Sequence, residues 1–242
     1  MNRRKLIRTG LAASAGVIVG ARAVPLARRH GLIPPDGGGL YGPGHTLTYA
    51  AQRLLTHKSF AREFSSAQIS KHPFPNTKPP ATNEYSVLRA GGFADWQLVI
   101  DGMVARPASL FLSQLKRYPS NSQITQLICE EGWSFIAEWI GVPLSHVLNV
   151  VGALPQARYV VYFSLDANWW DSIDMADALH PQTLLTYAMN GADLPLGHGG
   201  PLRLRVPRQL GYKSVKYITR MTITDSLKSF KPVGDYSWYA GI

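Results

Sequence analysis

The chain has 242 residues, of which 45% are hydrophobic, which is enough for one large domain or two compact lobes. The net charge of +10 is concentrated at the N-terminus: residues 1–23 hold five basic residues and no acid, and the remaining 20 basic and 15 acidic residues give +5. Basic and aromatic residues do not cluster, so the charge does not indicate nucleic-acid binding. A single cysteine excludes an internal disulfide, a CxxC redox pair and a cysteine-held zinc or iron–sulfur site.

The N-terminus is typical of a twin-arginine export signal. Arg3-Arg4 precedes an uncharged, largely apolar stretch over residues 10–21, which is too short to span a bilayer. Ala21-Arg22-Ala23 offers a cleavage site between small residues. We predict that residues 1–23 direct the folded protein through the twin-arginine machinery to the periplasm and are removed after Ala23. An uncleaved basic anchor is the alternative.

Residues 24–81 are predicted to form a linker, surface helices and a proline-rich loop. The stretch 24–44 is rich in proline and glycine, which indicates a loose linker. Apolar and basic residues recur at helical spacing over residues 47–69, which predicts one or two surface helices. Four prolines between residues 72 and 81 predict an extended loop.

Residues 82–242 are predicted to form one α+β domain with a mixed sheet. Short apolar or β-branched runs predict strands at 96–100, 124–128, 158–164, 184–189, 202–206 and 218–224. Helices are predicted at 110–118 and 143–151. The helices do not alternate regularly with the strands, which argues against a doubly wound parallel sheet.

Cys129 ends the strand predicted at 124–128, and Glu130-Glu131-Gly132-Trp133 turns the chain away. A single thiolate at the end of a strand is well placed to bind one soft metal ion. A free cysteine is also a common small apolar core residue. The residue taken alone leaves both interpretations open.

Five sequence segments follow one another in a recognisable order. They are Trp96-x-Leu98-x-Ile100-x-Gly102, Cys129-Glu130-Glu131-Gly132-Trp133 with Trp139-x-Gly141-Val142-Pro143-Leu144, Tyr187-x-Met189-Asn190-Gly191-x-x-Leu194-Pro195, His198-Gly199-Gly200-Pro201-Leu202-Arg203-Leu204, and Gly211-Tyr212-Lys213-Ser214-Val215-Lys216. Together they cover about half of the chain, and this half resembles the molybdopterin-binding catalytic domain of the sulfite oxidase superfamily.

The resemblance implies a molybdenum–molybdopterin cofactor whose metal is bound by the Cys129 thiolate. It also implies a set of cofactor-binding residues: Asn76, Ser164, His198, Arg203, Lys213, Ser214, Val215 and Lys216. Arginine and lysine suit the pterin phosphate, and backbone N–H groups of residues 213–216 can complete its site.

Each of these residues also has a structural alternative. Arg203 and Arg205 alternate with leucines, so one of them could face solvent. The two lysines could be ordinary solvated side chains, Asn76 a turn residue and Ser164 a strand cap. The tail from Tyr236 to Tyr239 resembles the aromatic segment that closes the pocket in reductase-like members, or it is simply packed against the domain.

The resemblance implies two-electron oxygen-atom transfer. Sulfite-oxidising members carry an arginine near the opening loop, which Arg89 matches poorly, and a second dimerisation domain, which we do not expect because the chain ends shortly after the last strand. We therefore predict a reductase of an S-oxide or N-oxide, supplied with electrons by a membrane haem protein or soluble cytochrome. A sulfite-oxidising enzyme, a non-catalytic ligand-binding module and a cysteine hydrolase using Cys129 with His198 are the alternatives.

Overall fold

A computed structural model describes residues 24–28, 30–37, 42–166, 169–230, 236–239 and 241. The predicted export signal, residues 1–23, lies outside these residues. The chain divides into a smaller unit, residues 1–56 with 237–239, and a larger unit, residues 57–236 with 240–242. Residues 57–81 therefore belong with the larger unit. Within the described ranges, no helix is both long enough and apolar enough to cross a membrane.

The smaller unit is built around helix α1, Gly42–Leu55. The buried ring of Tyr49 packs edge-on against Tyr239 with centroids 4.7 Å apart, and the Arg53 guanidinium lies 4.9 Å from the Tyr239 ring centre. Residues 24–28 form one helical turn, so the stretch predicted as a loose linker is partly helical at both ends. The helix predicted within residues 47–69 is confirmed, but it begins earlier and ends at Leu55.

In the described part of the larger unit, ten strands form two sheets. The first has the order β2-β1-β10-β5-β6, and the second has the order β3-β4-β7-β8, with β9 also paired to β7. The strands are β1 Gln97–Gly102, β2 Ala108–Phe111, β3 Asn121–Ile128, β4 Ser134–Pro143, β5 Tyr159–Ser164, β6 Trp170–Asp174, β7 Leu184–Met189, β8 Ala192–Asp193, β9 Arg203–Arg205 and β10 Ile218–Thr224. The helices are α2 Asn83–Ala90, α3 Leu112–Leu115, α4 Leu144–Val151 and α5 Met175–Ala178.

The first sheet is mixed, because β1 runs parallel to β10 while β2, β5 and β6 pair antiparallel. Short helices lie between the strands, and the α+β class predicted from the sequence is confirmed. The main core packs apolar side chains of this sheet against α4, including Leu98, Ile100, Val147 and Met221. Helix α4 ends at Gly152, whose φ of 66° lies in the left-handed region that favours glycine.

Strand β4, which the sequence analysis did not assign, is the longest strand of the second sheet. It pairs with β3 over residues 134–141 and with β7 over residues 139–143. At Gly141 the neighbouring strand comes so close that an added Cβ would lie 2.2 Å from the Leu185 carbonyl oxygen. The β3–β4 turn is closed by the Cys129 N–H, which donates to the Trp133 carbonyl at 2.9 Å. This turn places Cys129 at the end of the sheet where β3 and β4 are joined.

The strands predicted at 96–100, 124–128, 158–164, 184–189, 202–206 and 218–224 and the helix at 143–151 are confirmed within a few residues. The helix predicted at 110–118 is wrong in its first part, because β2 occupies residues 108–111 and pairs with β1. Only Leu112–Leu115 is helical there. Pairing with a neighbouring strand, which is not visible in the local sequence, decides the structure of this segment.

Candidate active site and cofactor cleft

A cleft of about 250 Å³ opens where Cys129 follows β3. Its lining includes eight of the nine residues predicted as site residues: Asn76, Cys129, Ser164, His198, Arg203, Ser214, Val215 and Lys216. They come from the proline-rich loop, the ends of β3 and β5, and the turns before β9 and β10. The fold therefore brings together segments that are far apart in sequence.

The Cys129 thiol is 6% exposed and is surrounded by acceptors. Its sulfur lies 3.4 Å from Glu130 Oε2 and 3.7 Å from Glu131 Oε2. Burial, assisted by the Glu130 and Glu131 carboxylates, raises the pKa of Cys129 to about 12. A thiol in this setting is a poor free nucleophile, and the thiolate needs a cation to stabilise it. This setting favours a metal ligand over the nucleophile of a cysteine hydrolase.

Glu131 ties the cysteine turn to the proline-rich loop. Its Oε2 accepts a hydrogen bond from Trp133 Nε1 at 2.8 Å and another from Asn76 Nδ2 at 3.1 Å. These bonds, that of Trp133 first, lower the pKa of Glu131. Asn76 has a φ of 54°, a left-handed conformation that asparagine tolerates better than most residues. Asn76 is therefore both a turn residue and a residue of the cleft. The role of Glu131 was not predicted.

Arg203 is buried beside the cleft. Its NH1 donates to the His198 carbonyl at 2.9 Å and its NH2 to the Ser214 carbonyl at 2.6 Å. Its Nε has no hydrogen-bond partner among the residues that the structure describes. Burial lowers the pKa of Arg203 to about 10. The suggestion that Arg203 or Arg205 faces solvent is wrong, because they are 3% and 1% exposed and lie on Trp139.

Lys216 and His198 complete the polar wall of the cleft. Lys216 Nζ donates to the carbonyls of Pro75 and Gly197 and to Thr77 Oγ1. Its hydrogen bonds therefore connect the proline-rich loop to the turn at Leu196–His198, so it is not an ordinary solvated lysine. Burial, followed by the charge of Arg203, lowers the pKa of Lys216 to about 7. Burial first, then Arg203 and Lys216, lower the pKa of His198 to about 4, so its imidazole is neutral at neutral pH.

The remaining predicted residues have mixed roles. Ser164 ends β5, and its Oγ accepts from the Asp166 N–H at 3.0 Å, so it caps the strand and also lines the cleft. The Ser214 Oγ accepts from the Val206 N–H at 3.1 Å. In the turn before Val215, the N–H groups of Lys213 and Ser214 donate to the carbonyls of Leu210 and Gly211. Two of the backbone donors predicted for the phosphate are thus used by the turn itself.

Lys213, which was predicted to bind the cofactor, does not line the cleft. Its ammonium lies 2.5 Å from Asp171 Oδ1 and donates to the Ser172 carbonyl at 3.0 Å. The Lys213 side chain is 1% exposed and that of Asp171 is 17% exposed, so the two form a largely buried ion pair. The side chain points away from the segment that its neighbours Ser214 and Val215 contribute.

Aromatic side chains that the sequence analysis did not single out also line the cleft. Phe74 packs edge-to-face on Trp133 at 5.2 Å, and Tyr212 stacks on Tyr236 at 4.7 Å. Of the tail predicted to close the pocket, Tyr236 lines the cleft, while residues 237–239 belong to the smaller unit. The sequence did carry one signal for Phe74: it lies between Pro73 and Pro75, which is typical of a rigid loop that exposes its side chains.

These residues fit a molybdenum–molybdopterin group. In the described ranges no three His, Cys, Asp or Glu side chains converge to hold a metal ion, so a metal at Cys129 needs most of its ligands from elsewhere. The dithiolene sulfurs of the pterin supply such ligands. Arg203 brings a buried guanidinium to the lining of the cleft, and a guanidinium suits an anion such as the pterin phosphate. The turn at Gly211–Lys213 comes close to Cys129, because an added Cβ on Gly211 would lie 3.5 Å from the Cys129 Cα.

Comparison with known proteins gives a consistent picture. A profile described as the oxidoreductase molybdopterin binding domain matches residues 86–230, which is more than half of the chain. A protein of Azospira oryzae with the provisional name protein-methionine-sulfoxide reductase subunit YedZ1 is 39% identical over 189 residues, 78% of this chain and 70% of that protein. The protein-methionine-sulfoxide reductase catalytic subunit MsrP of Ralstonia nicotianae is 34% identical over 145 residues, 54% of this chain and 44% of that protein.

A solved structure has a similar fold over about half of this chain. The sulfane dehydrogenase SoxCD from Paracoccus pantotrophus superposes with a TM-score of 0.53 at 27% identity, over 55% of this chain and 39% of that chain. The matched segments thus cover less than half of the SoxCD chain and of MsrP.

Proposed function

Since this chain belongs to the family of oxidoreductases with a molybdopterin-binding domain, we propose that it reduces a neutral sulfoxide, methionine sulfoxide in polypeptides, to the thioether. Its enzymatic nature and its molybdenum–molybdopterin cofactor follow from the family. The proposed reaction consumes two electrons and two protons, breaks the S–O bond and releases water. The names of the two relatives support the choice of methionine sulfoxide.

The charge of the cleft is the observation that carries the choice of a neutral substrate. Glu130, Glu131 and Asp166 line it. Lys216 is held by three oxygen acceptors, and the buried Arg203 is the residue assigned to the cofactor phosphate. Carboxylates without an uncommitted cation repel an anion such as sulfite but not a sulfoxide. Arg89, the one candidate for sulfite binding, is exposed on α2 and does not line the cleft.

The bound cofactor supplies the site at which the substrate oxygen is removed and the route for two electrons. The protein positions the reactants. Cys129 would hold the metal at the end of β3, and Arg203 and the backbone before β10 would hold the pterin. Glu131, fixed by Asn76 and Trp133, places a carboxylate beside the metal-binding thiol. Neutral His198 adds no positive charge at that wall.

Export and electron supply are part of the same proposal. The Arg3-Arg4 signal supports export of a folded, cofactor-loaded protein through the twin-arginine machinery to the periplasm. Cys129 is the single cysteine of the chain, so the chain lacks the cysteine ligands of an iron–sulfur cluster. We propose that an external donor, a membrane haem protein or a soluble cytochrome, reduces the cofactor.

The test is a reduced-dye assay on the exported, metal-loaded enzyme. We expect dye oxidation with methionine sulfoxide and dimethyl sulfoxide, and no reduction of ferricyanide with sulfite. Cys129→Ser should lose both the activity and the molybdenum, measured by mass spectrometry of the metal. Sulfite oxidation at a rate above that of sulfoxide reduction would refute the proposal. A fully active, molybdenum-free preparation would do so as well.

A further inference from the structure

Four aromatic residues form what we call the aromatic rim of the cleft: Phe74, Trp133, Tyr212 and Tyr236. Phe74 is 53% exposed and Tyr236 is 44% exposed, although each packs against its aromatic neighbour. Exposed large apolar residues that surround a concave site commonly mark a binding surface. The rim therefore requires an explanation beyond packing of the core.

The core does not need the exposed part of this rim. Phe135 and Trp139 already fill the interior beneath it, with exposures of 4% and 0%. Phe74 contacts Trp133 from outside, and the Trp133 ring stacks on Phe135 at 6.1 Å. More than half of the Phe74 surface remains in water, so burial inside the folded chain accounts for only part of its surface.

The loop that carries Phe74 is held rigidly by contacts on both of its sides. Phe74 lies between Pro73 and Pro75, which restrict the backbone. Lys216 Nζ bonds to Pro75 and Thr77, and Asn76 Nδ2 bonds to Glu131. An aromatic side chain presented on a fixed backbone loses little conformational entropy when a ligand covers it. The loop therefore presents Phe74 in advance of binding.

We propose that the aromatic rim binds the polypeptide residues on either side of an oxidised methionine, and so selects methionine sulfoxide in a polypeptide over the free amino acid. This inference rests on the proposed sulfoxide reductase function. The sulfoxide enters the cleft toward Cys129, while the flanking residues cover Phe74 and Tyr236. The free amino acid lacks the flanking residues that would cover the exposed parts of Phe74 and Tyr236.

The charges beside the rim define the polypeptide further. Glu130 and Asp166 line the same cleft, and Asp166 is exposed. These carboxylates favour neutral or basic flanking residues and disfavour acidic ones. The occupant of the rim is thus an extended polypeptide with a central methionine sulfoxide and no acidic neighbour.

The test compares kcat/KM for a short peptide with a central methionine sulfoxide and for free methionine sulfoxide, using the molybdenum-loaded full-length enzyme and a reduced dye. The wild-type enzyme should prefer the peptide, and it should prefer lysine-flanked to glutamate-flanked peptides. In Phe74→Ala and Tyr236→Ala the ratio of peptide to free-substrate kcat/KM should fall about tenfold, mainly through KM.

Phe60→Ala is the matched control. Phe60 is 61% exposed, packs edge-to-face on His180 at 5.2 Å and does not line the cleft. Its ratio should stay within about twofold of wild type. Molybdenum content and the melting temperature show that each variant is folded, and Phe74→Leu serves if Phe74→Ala is not.

A wild-type ratio near one, or ratios unchanged in both rim variants, would overturn the rim assignment while leaving sulfoxide reduction in place. An equal loss in Phe60→Ala would also overturn it. Failure of the molybdenum-loaded wild type to reduce any sulfoxide would overturn both the proposed function and this inference.

Discussion

Replacing Arg203 by methionine separates cofactor binding from folding. Methionine has a similar length but no charge and no donor, so the substitution leaves little cavity. Arg205→Met is the matched control. Arg205 is equally buried and also lies 5.3 Å from the Trp139 ring, but it does not line the cleft. Its Nε likewise lacks a hydrogen-bond partner in the described part of the chain.

The expected effect on the cofactor-free fold is small. The variant loses hydrogen bonds to the His198 and Ser214 carbonyls, each about 1.5–3 kcal/mol for a charged donor, and a cation–π contact of about 1 kcal/mol. It also removes a buried charge without a carboxylate partner, whose desolvation costs several kcal/mol. The free energy of unfolding should therefore change by less than about 2 kcal/mol.

The expected effect on the cofactor is larger. Loss of a buried, charged contact to the phosphate should cost about 3 kcal/mol, which weakens binding by somewhat more than a hundredfold. Molybdenum per protein after gel filtration measures retention, and urea unfolding of the cofactor-free protein measures stability. We expect Arg203→Met to lose most of its molybdenum and Arg205→Met to keep it. Full retention in Arg203→Met, or equal loss in both variants, would refute the assignment of Arg203 to the phosphate.

Four further substitutions test other parts of the structure. Lys216→Met removes the bonds to Pro75, Thr77 and Gly197, and amide hydrogen exchange at Phe74, Asn76 and Thr77 should rise about tenfold. Gly141→Ala places a Cβ 2.2 Å from a backbone oxygen and should lower the free energy of unfolding by about 3 kcal/mol or more. Gly91→Ala, with its nearest contact at 3.6 Å and a negative φ, should be neutral or stabilising by up to about 1 kcal/mol. The pKa of His198 is lowered from 6.5 to about 4, so the unfolded chain binds the proton first and stability falls as pH drops between these values. His198→Gln should flatten that part of the pH profile in the cofactor-free protein.

Each of these expectations has a clear contrary result. Unchanged exchange in the loop of Lys216→Met would show that Lys216 does not hold it. Equal stability of the Gly141 and Gly91 variants would contradict the close approach of β4 and β7. Identical pH profiles for wild type and His198→Gln would show that burial does not disfavour the charged imidazole.

The class of the fold was predictable because several strands are short apolar runs that keep their structure wherever they pair. Strands β7 and β10 are of this kind and match their predicted bounds. Strand β4 was missed although its buried residues alternate, because Gly141 and the terminal Pro143 argue locally against a strand. Gly141 is required there by the close approach of Leu185, which only the sheet reveals.

The residues of the site could be predicted where a motif fixes the residue type. They could not be predicted where the outcome depends on the direction in which a side chain points. The order of the motifs placed Cys129, His198, Arg203 and Lys216 at one cleft. Lys213 belongs to the same motif, but its side chain turns to Asp171 on β6, a strand that the sequence analysis did not assign. The motif does not reveal an ion pair between Lys213 and a carboxylate on a strand that was not predicted.

Lys216 connects the two halves of this site. Its ammonium holds the loop of Phe74 and Asn76 through Pro75 and Thr77, while its neighbours Ser214 and Val215 line the wall assigned to the cofactor. Arg203 reaches the same wall through the Ser214 carbonyl. Burial and, after it, the charge of Arg203 lower the pKa of Lys216. A phosphate at Arg203 would offset the second of these causes, which would favour the Lys216 ammonium and strengthen its hydrogen bonds to the loop. The lysine that adjoins the cofactor wall therefore also fixes the loop that presents Phe74, so the cofactor site and the aromatic rim share one support.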